Sequence, residues 1–199
     1  MMSRVVIVHG WGSDSESNWV PWLAGELKQR SIEVIVPDMP DTNAPKIDIW
    51  VPFLSSVVKE ISENTYFVGH SVGCQAILRY LQTMPEGIKI GGAVFVAGFI
   101  TLLTGLNEVQ VLAARPWLET PLDWKRIISH CSSFVDIYSD DDPHVPVGEA
   151  QILKEKLNAK LVLDSGRGHF GEEDDVTQLP SVLEELLVIM GMPVETTLI

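Results

Sequence analysis

The segment Val68-Gly69-His70-Ser71-Val72-Gly73 is the most informative part of the sequence, because it joins a short apolar run, Thr65–Val68, directly to an amphipathic stretch, Val72–Thr83. In a G-x-S-x-G pattern, small residues flank a serine on a sharp turn from strand to helix, where larger side chains would collide. Such a turn exposes the serine hydroxyl, and the helix behind it points backbone N–H groups toward developing negative charge. A turn whose glycines serve packing alone is the structural alternative. The position between strand and helix favours a nucleophile, Ser71.

The same alternation of apolar runs and amphipathic stretches continues on both sides of this turn. Six runs rich in Val, Ile and Phe are predicted strands: Arg4–Val8, Glu33–Val36, Thr65–Val68, Gly92–Val96, Phe134–Tyr138 and Lys160–Leu163. Six stretches are predicted helices: Trp19–Gln29, Ile47–Ser62, Val72–Thr83, Trp124–His130, Val147–Asn158 and Gln178–Met190. Strict alternation predicts a three-layer α/β fold, with a mainly parallel six-stranded sheet and helices on both faces. Ligands bind such sheets beyond the carboxyl ends of the strands.

A serine hydroxyl needs a neighbouring base to remove its proton, and the sequence contains five histidines. His169 is the candidate base, because it follows the sixth predicted strand in a glycine-rich loop. His9, His70 and His130 all come before the position where the base is expected. His144 lies in the loop that must supply the acid, too close in sequence to reach across from another loop. An ordinary surface histidine is the alternative interpretation of His169.

The acid that orients the base is expected in the loop after the fifth predicted strand. This loop contains three consecutive aspartates, Asp140, Asp141 and Asp142. Spacing does not choose among them, although Pro143 follows Asp142 and restricts that part of the loop. We favour Asp142 and expect the other two aspartates to form a solvated acidic turn.

An oxyanion hole requires two backbone donors where the tetrahedral oxygen forms. Val72, directly after the serine, and Trp11, in the loop after the first predicted strand, are the candidates. The glycines of that loop lack the third glycine of a dinucleotide site, and no Walker sequence occurs. The acidic turn with His144 lacks the supporting histidines of a catalytic metal site. We therefore expect no metal and no organic cofactor.

Charge and composition limit the class of partner. The chain has 14 basic and 27 acidic residues, a formal net charge of −13, which disfavours nucleic acids and anionic membrane surfaces. No apolar stretch approaches the roughly 20 residues of a membrane span, and no signal-type segment is visible. We expect a cytoplasmic protein that acts on a small molecule. The cysteines, Cys74 and Cys131, are expected to be free, buried thiols.

Residues 99–122 interrupt the alternation with a mixture of Gly, Pro and apolar residues. A segment this long between a strand and a helix is usually functional, and we interpret it as a short cap over the site. An irregular crossover with one extra helix is the alternative. His70, Phe99 and Trp117 are the candidate substrate-binding residues. Residues 1–190 are expected to form one domain, and residues 191–199 a frayed tail.

With these residues assembled, the chain resembles the family of compact serine hydrolases that includes retinoblastoma-binding protein nine and bacterial YdeN-like proteins. The resemblance covers nearly the whole chain and is carried by Val5–Gly10, Val68–Gly73, Arg115-Pro116-Trp117, Ser139–Pro143 and Gly168-His169-Phe170. It implies a six-stranded α/β-hydrolase fold with a minimal cap. It also implies a triad of Ser71, Asp142 and His169, in which the Asp-Pro pattern of the family selects Asp142.

The sequence thus predicts hydrolysis of small ester-like substrates through an acyl-enzyme on Ser71. The same triad would serve for amides, peptides or thioesters, and the sequence does not separate these leaving groups. A protein-binding module that retains the fold and presents residues 99–122 or the tail to an unknown partner is the alternative from another class. Candidate residues at three separate strand ends favour an enzyme, since a binding scaffold does not need them together.

Overall fold

Six strands form one sheet in the computed structural model, which describes residues 2–194. They are β1 (Arg4–Val8), β2 (Glu33–Ile35), β3 (Thr65–His70), β4 (Gly92–Val96), β5 (Phe134–Tyr138) and β6 (Lys160–Leu163). The spatial order is β2-β1-β3-β4-β5-β6, and every neighbouring pair is parallel. The central strands β3 and β4 are buried along their whole length, which explains why their sequences lack polar alternation. The parallel sheet predicted from the sequence is confirmed.

Within residues 2–194, seven α-helices cover the two faces of the sheet. They are α1 (Val20–Gln29), α2 (Ile47–Val57), α3 (Val72–Leu81), α4 (Glu108–Glu119), α5 (Trp124–His130), α6 (Val147–Leu157) and α7 (Pro180–Ile189). Helix α1 contacts α7, whereas α2 contacts α3, α3 contacts α5, and α5 contacts α6. The helices therefore form two outer layers, as right-handed crossovers in a sheet of this order require.

Several element ends shift by one or two residues from the sequence predictions, and two segments differ more. Helix α2 ends at Val57 instead of Ser62, because Val58 is already extended and Glu60 adopts a φ of +55°, which a right-handed helix does not tolerate. Residues 99–122 form a loop followed by one helix, α4. This agrees with the second interpretation of the segment, an irregular crossover with one extra helix. The loop borders the carboxyl edge of the sheet, where a cap was expected.

The interior is one continuous hydrophobic cluster that spans the sheet and both helix layers. Cys74 and Cys131 are buried and unpaired, as predicted. None of the helices in residues 2–194 is both long and apolar enough to cross a membrane. Helix α7 gives way to a turn at Gly191, and residues 195–199 of the predicted tail lie outside the described residues.

Candidate active site

The serine turn has the strained geometry that its sequence predicts. Ser71 lies between β3 and α3 with φ +52° and ψ −118°, and its N–H donates to the carbonyl of Val96 at 2.9 Å. A non-glycine residue with positive φ costs energy and is frequent at functional sites. A Cβ at Gly73 would collide with the carbonyl oxygen of Val8, and one at Gly69 with the backbone of Cys74. Both glycines are therefore required by close packing around the turn.

Ser71, His169 and Asp142 form a continuous chain of hydrogen bonds across three loops. The Oγ of Ser71 lies 3.0 Å from Nε2 of His169, and Nδ1 of His169 lies 2.8 Å from Oδ2 of Asp142. These bonds set the tautomer: Nδ1–H donates to the carboxylate, and the lone pair of Nε2 accepts from the serine hydroxyl. The side chain of Asp142 is 2% exposed and that of His169 is 20% exposed. The three residues expected to form a triad are thus brought together.

Asp142 is held as a carboxylate by the loop in which it lies. Its Oδ1 accepts from the N–H of His144 at 2.7 Å and from that of Val145 at 2.9 Å, while Oδ2 accepts from His169. Burial opposes ionisation of Asp142, but these hydrogen bonds and the nearby imidazole outweigh it and lower its pKa. An ionised Asp142 is suited to stabilise a positive charge on His169.

The other two aspartates of this turn are exposed, as the sequence predicts, and in addition they bind the facing loop. Asp140 accepts hydrogen bonds from the hydroxyl of Ser165 and from the N–H of Gly166, both in the facing loop. Asp141 accepts from the N–H of Gly168 at 2.9 Å. Asp140 and Asp141 thereby bind the loop after β6 that carries His169. A metal site at Asp140, Asp142 and His144 does not fit these contacts, because each side chain is directed to a different partner.

The backbone of His169 has its own acceptor, Asp174, which the sequence analysis missed. Oδ2 of Asp174 lies 2.9 Å from the N–H of His169 and 3.1 Å from that of Gly171. Gly168 has a φ of +52°, and a Cβ there would collide with the Asp174 carboxylate. The run of acidic residues at 172–175 was the only signal available in the sequence. Asp174 therefore holds the backbone of His169, while Asp142 holds its imidazole ring.

His70 was expected to bind substrate, and the structure places it at the cleft, where its Nε2 is already engaged. This atom donates to the carbonyl of His169 at 2.9 Å, and the two imidazole rings lie 5.2 Å apart. Burial, together with the nearby His169, lowers the pKa of His70 to about 3. His70 is thus a neutral donor that holds the backbone of His169.

The loop after β1 and the start of α3 each bring one backbone donor to the cleft, the N–H of Trp11 and that of Val72. In the described part of the chain, no hydrogen bond uses the N–H of Trp11 or of Val72. His9 fixes this loop, because its Nδ1–H donates to the carbonyl of Gly10 at 2.9 Å and its Nε2 accepts from Met39 at 3.0 Å. Burial lowers the pKa of His9, which is consistent with this neutral form.

Ser71 and His169 open into a cleft of about 350 Å³. Its apolar lining consists of Trp11, Val72, Phe99, Leu103 and Leu106. Its polar lining outside the triad comprises Ser13, Ser17, Asn18, His70, Gln110, His144 and residues 172–174. Phe99 therefore lies where the sequence prediction placed it. The size of the cleft suits a small ligand.

Trp117 lies outside this cleft, which corrects its assignment as a substrate-binding residue. Its side chain is buried in the core, where Nε1 donates to the carbonyl of Pro45 at 2.9 Å. The guanidinium of Arg79 lies 5.8 Å from the indole centroid, and the ring of Trp50 lies 6.1 Å away. Trp117 fastens α4 to the helices below it. The sequence does not show whether an apolar aromatic residue in this segment faces the cleft or the core.

His144 was set aside as a base, but the structure places it in the cleft beside the triad. Its ring lies edge-on to that of His169 at 5.1 Å, and its Nδ1 lies 3.2 Å from the carbonyl of Thr104. The N–H of Thr104 donates back to the carbonyl of His144 at 2.8 Å. This reciprocal pair connects the loop of residues 99–107 to the turn that carries Asp142.

Along the chain, Ser71 follows β3, Asp142 follows β5 and His169 follows β6. This order of serine, acid and histidine on a parallel sheet is that of the α/β hydrolases. The comparison with protein families agrees. The chain belongs to the serine hydrolase family, because the model of that family, described as Serine hydrolase, matches residues 5–187.

Three known proteins illustrate the relationship. YdeN of Bacillus subtilis (strain 168) is 32% identical over 186 residues, which is 94% of this chain and 95% of YdeN. Its crystal structure superposes with a TM-score of 0.88 at 30% identity, over 96% of this chain and 100% of that one. Serine hydrolase RBBP9 of Rattus norvegicus is 29% identical over 189 residues, which is 93% of this chain and 96% of RBBP9. The esterase RhEst1 from Rhodococcus sp. ECU1013 shares the fold, with a TM-score of 0.68 at 17% identity over 96% of this chain and 92% of that one.

Proposed function

We propose that this protein hydrolyses carboxylic esters of small molecules through an acyl-enzyme on Ser71. His169 acts as the base, Asp142 orients and stabilises it, and the N–H groups of Trp11 and Val72 form the oxyanion hole. The substrate is a small molecule rather than a nucleic acid, because a net charge of −13 repels phosphates. No metal or cofactor takes part in this scheme.

The hydrogen-bond chain from Ser71 to Asp142 is the observation that carries the proposal. Its distances of 3.0 and 2.8 Å lie within the range for a nucleophile activated by an oriented base. The tautomer of His169 that these bonds require is the one that accepts the serine proton. A fold without catalysis has no need to bring three loops to this geometry.

Acylation uses each of these groups in turn. Oγ of Ser71 attacks the ester carbonyl carbon while its proton passes to Nε2 of His169, and Asp142 stabilises the imidazolium. The carbonyl oxygen becomes an oxyanion that accepts from Trp11 and Val72. Collapse of the tetrahedral intermediate breaks the bond to the alcohol oxygen, which takes the proton from His169. The alcohol leaves, and the acyl group remains on Ser71.

Deacylation repeats the sequence with water as the nucleophile. His169 takes a proton from water, the hydroxide oxygen attacks the acyl carbon, and the oxyanion forms in the same hole. Collapse returns the proton to Ser71 and releases the carboxylic acid. The same groups would cleave thioesters or amides. Matched ester, thioester and anilide substrates separate these activities, and we expect the ester to have the highest kcat/KM.

Covalent labelling with a fluorophosphonate tests the nucleophile directly. We expect wild-type protein to gain one adduct by intact mass, and Ser71→Ala to gain none. Ser129→Ala is a matched control, because Ser129 is exposed on α5 and remote from the cleft. Absence of an adduct on folded wild-type protein would overturn the proposal and favour the protein-binding module.

A further inference from the structure

His144 is a polar side chain of the cleft that the proposed catalytic cycle does not use. Its Nδ1 donates to the carbonyl of Thr104 at 3.2 Å, and a carbonyl oxygen can only accept, so Nδ1 carries the proton of the neutral ring. Nε2 is then left with its lone pair. Within residues 2–194, no group bonds to Nε2 of His144, and this atom is accessible to solvent. The cleft thus contains a free hydrogen-bond acceptor beside the triad.

The ring of His144 turns this nitrogen away from the loop of residues 99–107. A Cβ at Gly105 would lie 3.1 Å from Nδ1 and 3.4 Å from Cε1, so these two atoms form the edge of the ring that faces the loop. Nε2 lies beyond that edge. The ring lines the cleft together with Ser71 and His169. The lone pair is therefore within reach of a molecule bound in the cleft.

Hydrogen bonds on both sides of its peptide fix the position of His144. Its N–H donates to Oδ1 of Asp142 at 2.7 Å, and its carbonyl accepts from the N–H of Thr104 at 2.8 Å. The hydroxyl of Thr104 also donates to the carbonyl of Pro143 at 2.8 Å. A group that is fixed before binding loses less entropy when a ligand arrives. The acceptor on His144 is therefore preorganised.

The alcohol portion of an ester is the part of the substrate that passes His144. During the proposed acylation, the alcohol oxygen takes a proton from Nε2 of His169, so this oxygen lies at that imidazole. The rings of His169 and His144 lie 5.1 Å apart. The carbonyl oxygen is held elsewhere, at the N–H groups of Trp11 and Val72. A group on the second carbon of the alcohol therefore reaches His144.

The surroundings of His144 favour a hydroxyl as the group that binds there. Leu103 and Leu106, from the loop bonded to His144, line the cleft with apolar surface. A charged ammonium would lose hydration beside them, and both oxygens of Asp142 already accept hydrogen bonds. A neutral hydroxyl donates to the lone pair at a smaller cost. Within residues 2–194, the lining of the cleft has no lysine or arginine, so an anionic group finds no partner there.

We propose that His144 is a specificity-determining residue, whose Nε2 accepts a hydrogen bond from a hydroxyl on the second carbon of the alcohol. The inference rests on the proposed ester hydrolysis and narrows its substrate class to monoesters of vicinal diols and related polyols. No covalent bond forms at His144. The alcohol oxygen still takes its proton from His169, and the diol leaves with both hydroxyls intact.

Three esters of one acid isolate the contribution of the hydroxyl. Ethylene glycol monobutyrate carries the donor, methoxyethyl butyrate keeps the electron-withdrawing oxygen but cannot donate, and propyl butyrate has a methyl group in place of the hydroxyl. All three give the same acyl-enzyme, so differences in kcat/KM arise in binding and acylation. One neutral hydrogen bond contributes about fivefold. We expect the wild type to prefer the glycol ester over the methoxyethyl ester by about this factor in kcat/KM.

Two substitutions separate the acceptor from the loop contact. His144→Asn retains a donor for the carbonyl of Thr104 but removes the lone pair of Nε2, and we expect the preference for the glycol ester to vanish. Thr104→Val is the matched control, because it removes the hydroxyl bonded to Pro143 and leaves the side chain of His144 unchanged. Its preference should equal that of the wild type. A general loosening of the loop would alter kcat/KM of all three esters alike, so the ratio reports on the acceptor.

Thermal melting and fluorophosphonate labelling check that each variant is folded and reactive. If His144→Asn melts below the assay temperature, His144→Phe takes its place, because phenylalanine keeps a ring against His169 and has no lone pair. The same loss of preference is expected for it.

The outcomes separate this inference from the proposed function. Failure of folded wild type to react with fluorophosphonate and with all three esters would overturn the proposed function itself. Normal labelling without a preference for the glycol ester would overturn only the role of His144. A preference that persists in His144→Asn would also overturn it, because the acceptor would then lie elsewhere. Loss of the preference in His144→Asn, with retention in Thr104→Val, would support the assignment.

Discussion

The carboxyl group of Asp136 leads to a prediction about stability. Asp136 lies in the middle of β5 and is fully buried. In the described chain, neither of its oxygens has a hydrogen-bond partner. Burial raises the pKa of Asp136 to about 8, and the nearby backbone of Gly98 offsets this effect only slightly. The folded protein therefore holds Asp136 as a neutral acid at pH 7.

The sign and the size of the effect follow from this pKa. An unfolded chain ionises this carboxyl above its ordinary pKa of 3.8, whereas the folded chain keeps it protonated up to about pH 8. Below pH 4 the buried carboxyl therefore does not reduce the free energy of unfolding. As the pH rises from 4 to 8, the free energy of unfolding falls. Each pH unit costs about 1.4 kcal/mol, so the loss at pH 7 is about 4 kcal/mol. This is a large part of the 5–15 kcal/mol that is typical of domains.

Asp136→Asn removes the ionisation and keeps the shape of the side chain. We expect the free energy of unfolding of the variant to exceed that of the wild type by an amount that grows by about 4 kcal/mol between pH 5 and pH 8. Urea unfolding followed by tryptophan fluorescence at pH 5, 6, 7 and 8 measures this difference. Asp175→Asn is the matched control, because Asp175 is exposed and adopts a left-handed conformation that asparagine tolerates.

Stability curves of wild type and Asp136→Asn that run parallel from pH 5 to pH 8 would refute the reasoning. They would mean that the carboxyl titrates alike in the folded and unfolded states. The comparison does not depend on the absolute stability of either protein. Other groups that titrate in this range cancel, because they are shared by both chains.

Three further predictions concern the candidate site. Asp142→Asn should lower kcat about 10⁴-fold, because an amide favours the wrong tautomer of His169. Steady-state assays of a fluorogenic ester measure this loss, and a loss below tenfold would contradict the role of Asp142 in orienting His169. Asp174→Ala should reduce the free energy of unfolding by about 2 kcal/mol and also lower kcat, since the N–H of His169 loses its acceptor. Urea unfolding and steady-state kinetics measure the two effects, and an unchanged kcat would argue against a role of Asp174 in positioning His169. Glu149→Gln should raise KM more than it lowers kcat, because it loosens the loop of Phe99 without touching Ser71; equal effects on both constants would count against that separation.

Much of the architecture could be predicted because it depends on local patterns. The six apolar runs became the six strands, since strands covered on both faces have no polar alternation to obscure them. Ser71 was identifiable because only small neighbours permit its turn, and close packing at Gly69 and Gly73 bears this out. His169 followed from chain order, from its glycine-rich loop after the sixth strand and from the exclusion of the other histidines. These inferences needed no knowledge of what each residue touches.

The contacts across space could not be predicted. Three adjacent aspartates look alike in the sequence, yet Asp142 binds the imidazole while Asp140 and Asp141 bind the facing loop. Trp117 is as apolar as a residue of the cleft wall, and only the tertiary packing shows that it faces the core. Asp136 was the one acidic residue in an otherwise apolar strand, a signal that the periodicity argument did not use.

The order of the strands places His169 after a strand that is prone to local opening. In the described part of the chain, strand β6, which precedes His169, lies at the edge of the sheet, pairs with β5 alone and is more exposed than the central strands. Edge elements open locally at lower cost than the interior of a protein. Catalytic competence should therefore be lost by fraying of this edge before the tryptophans report unfolding. During synthesis, it should arise only after β6 and the loop of His169 have emerged and docked.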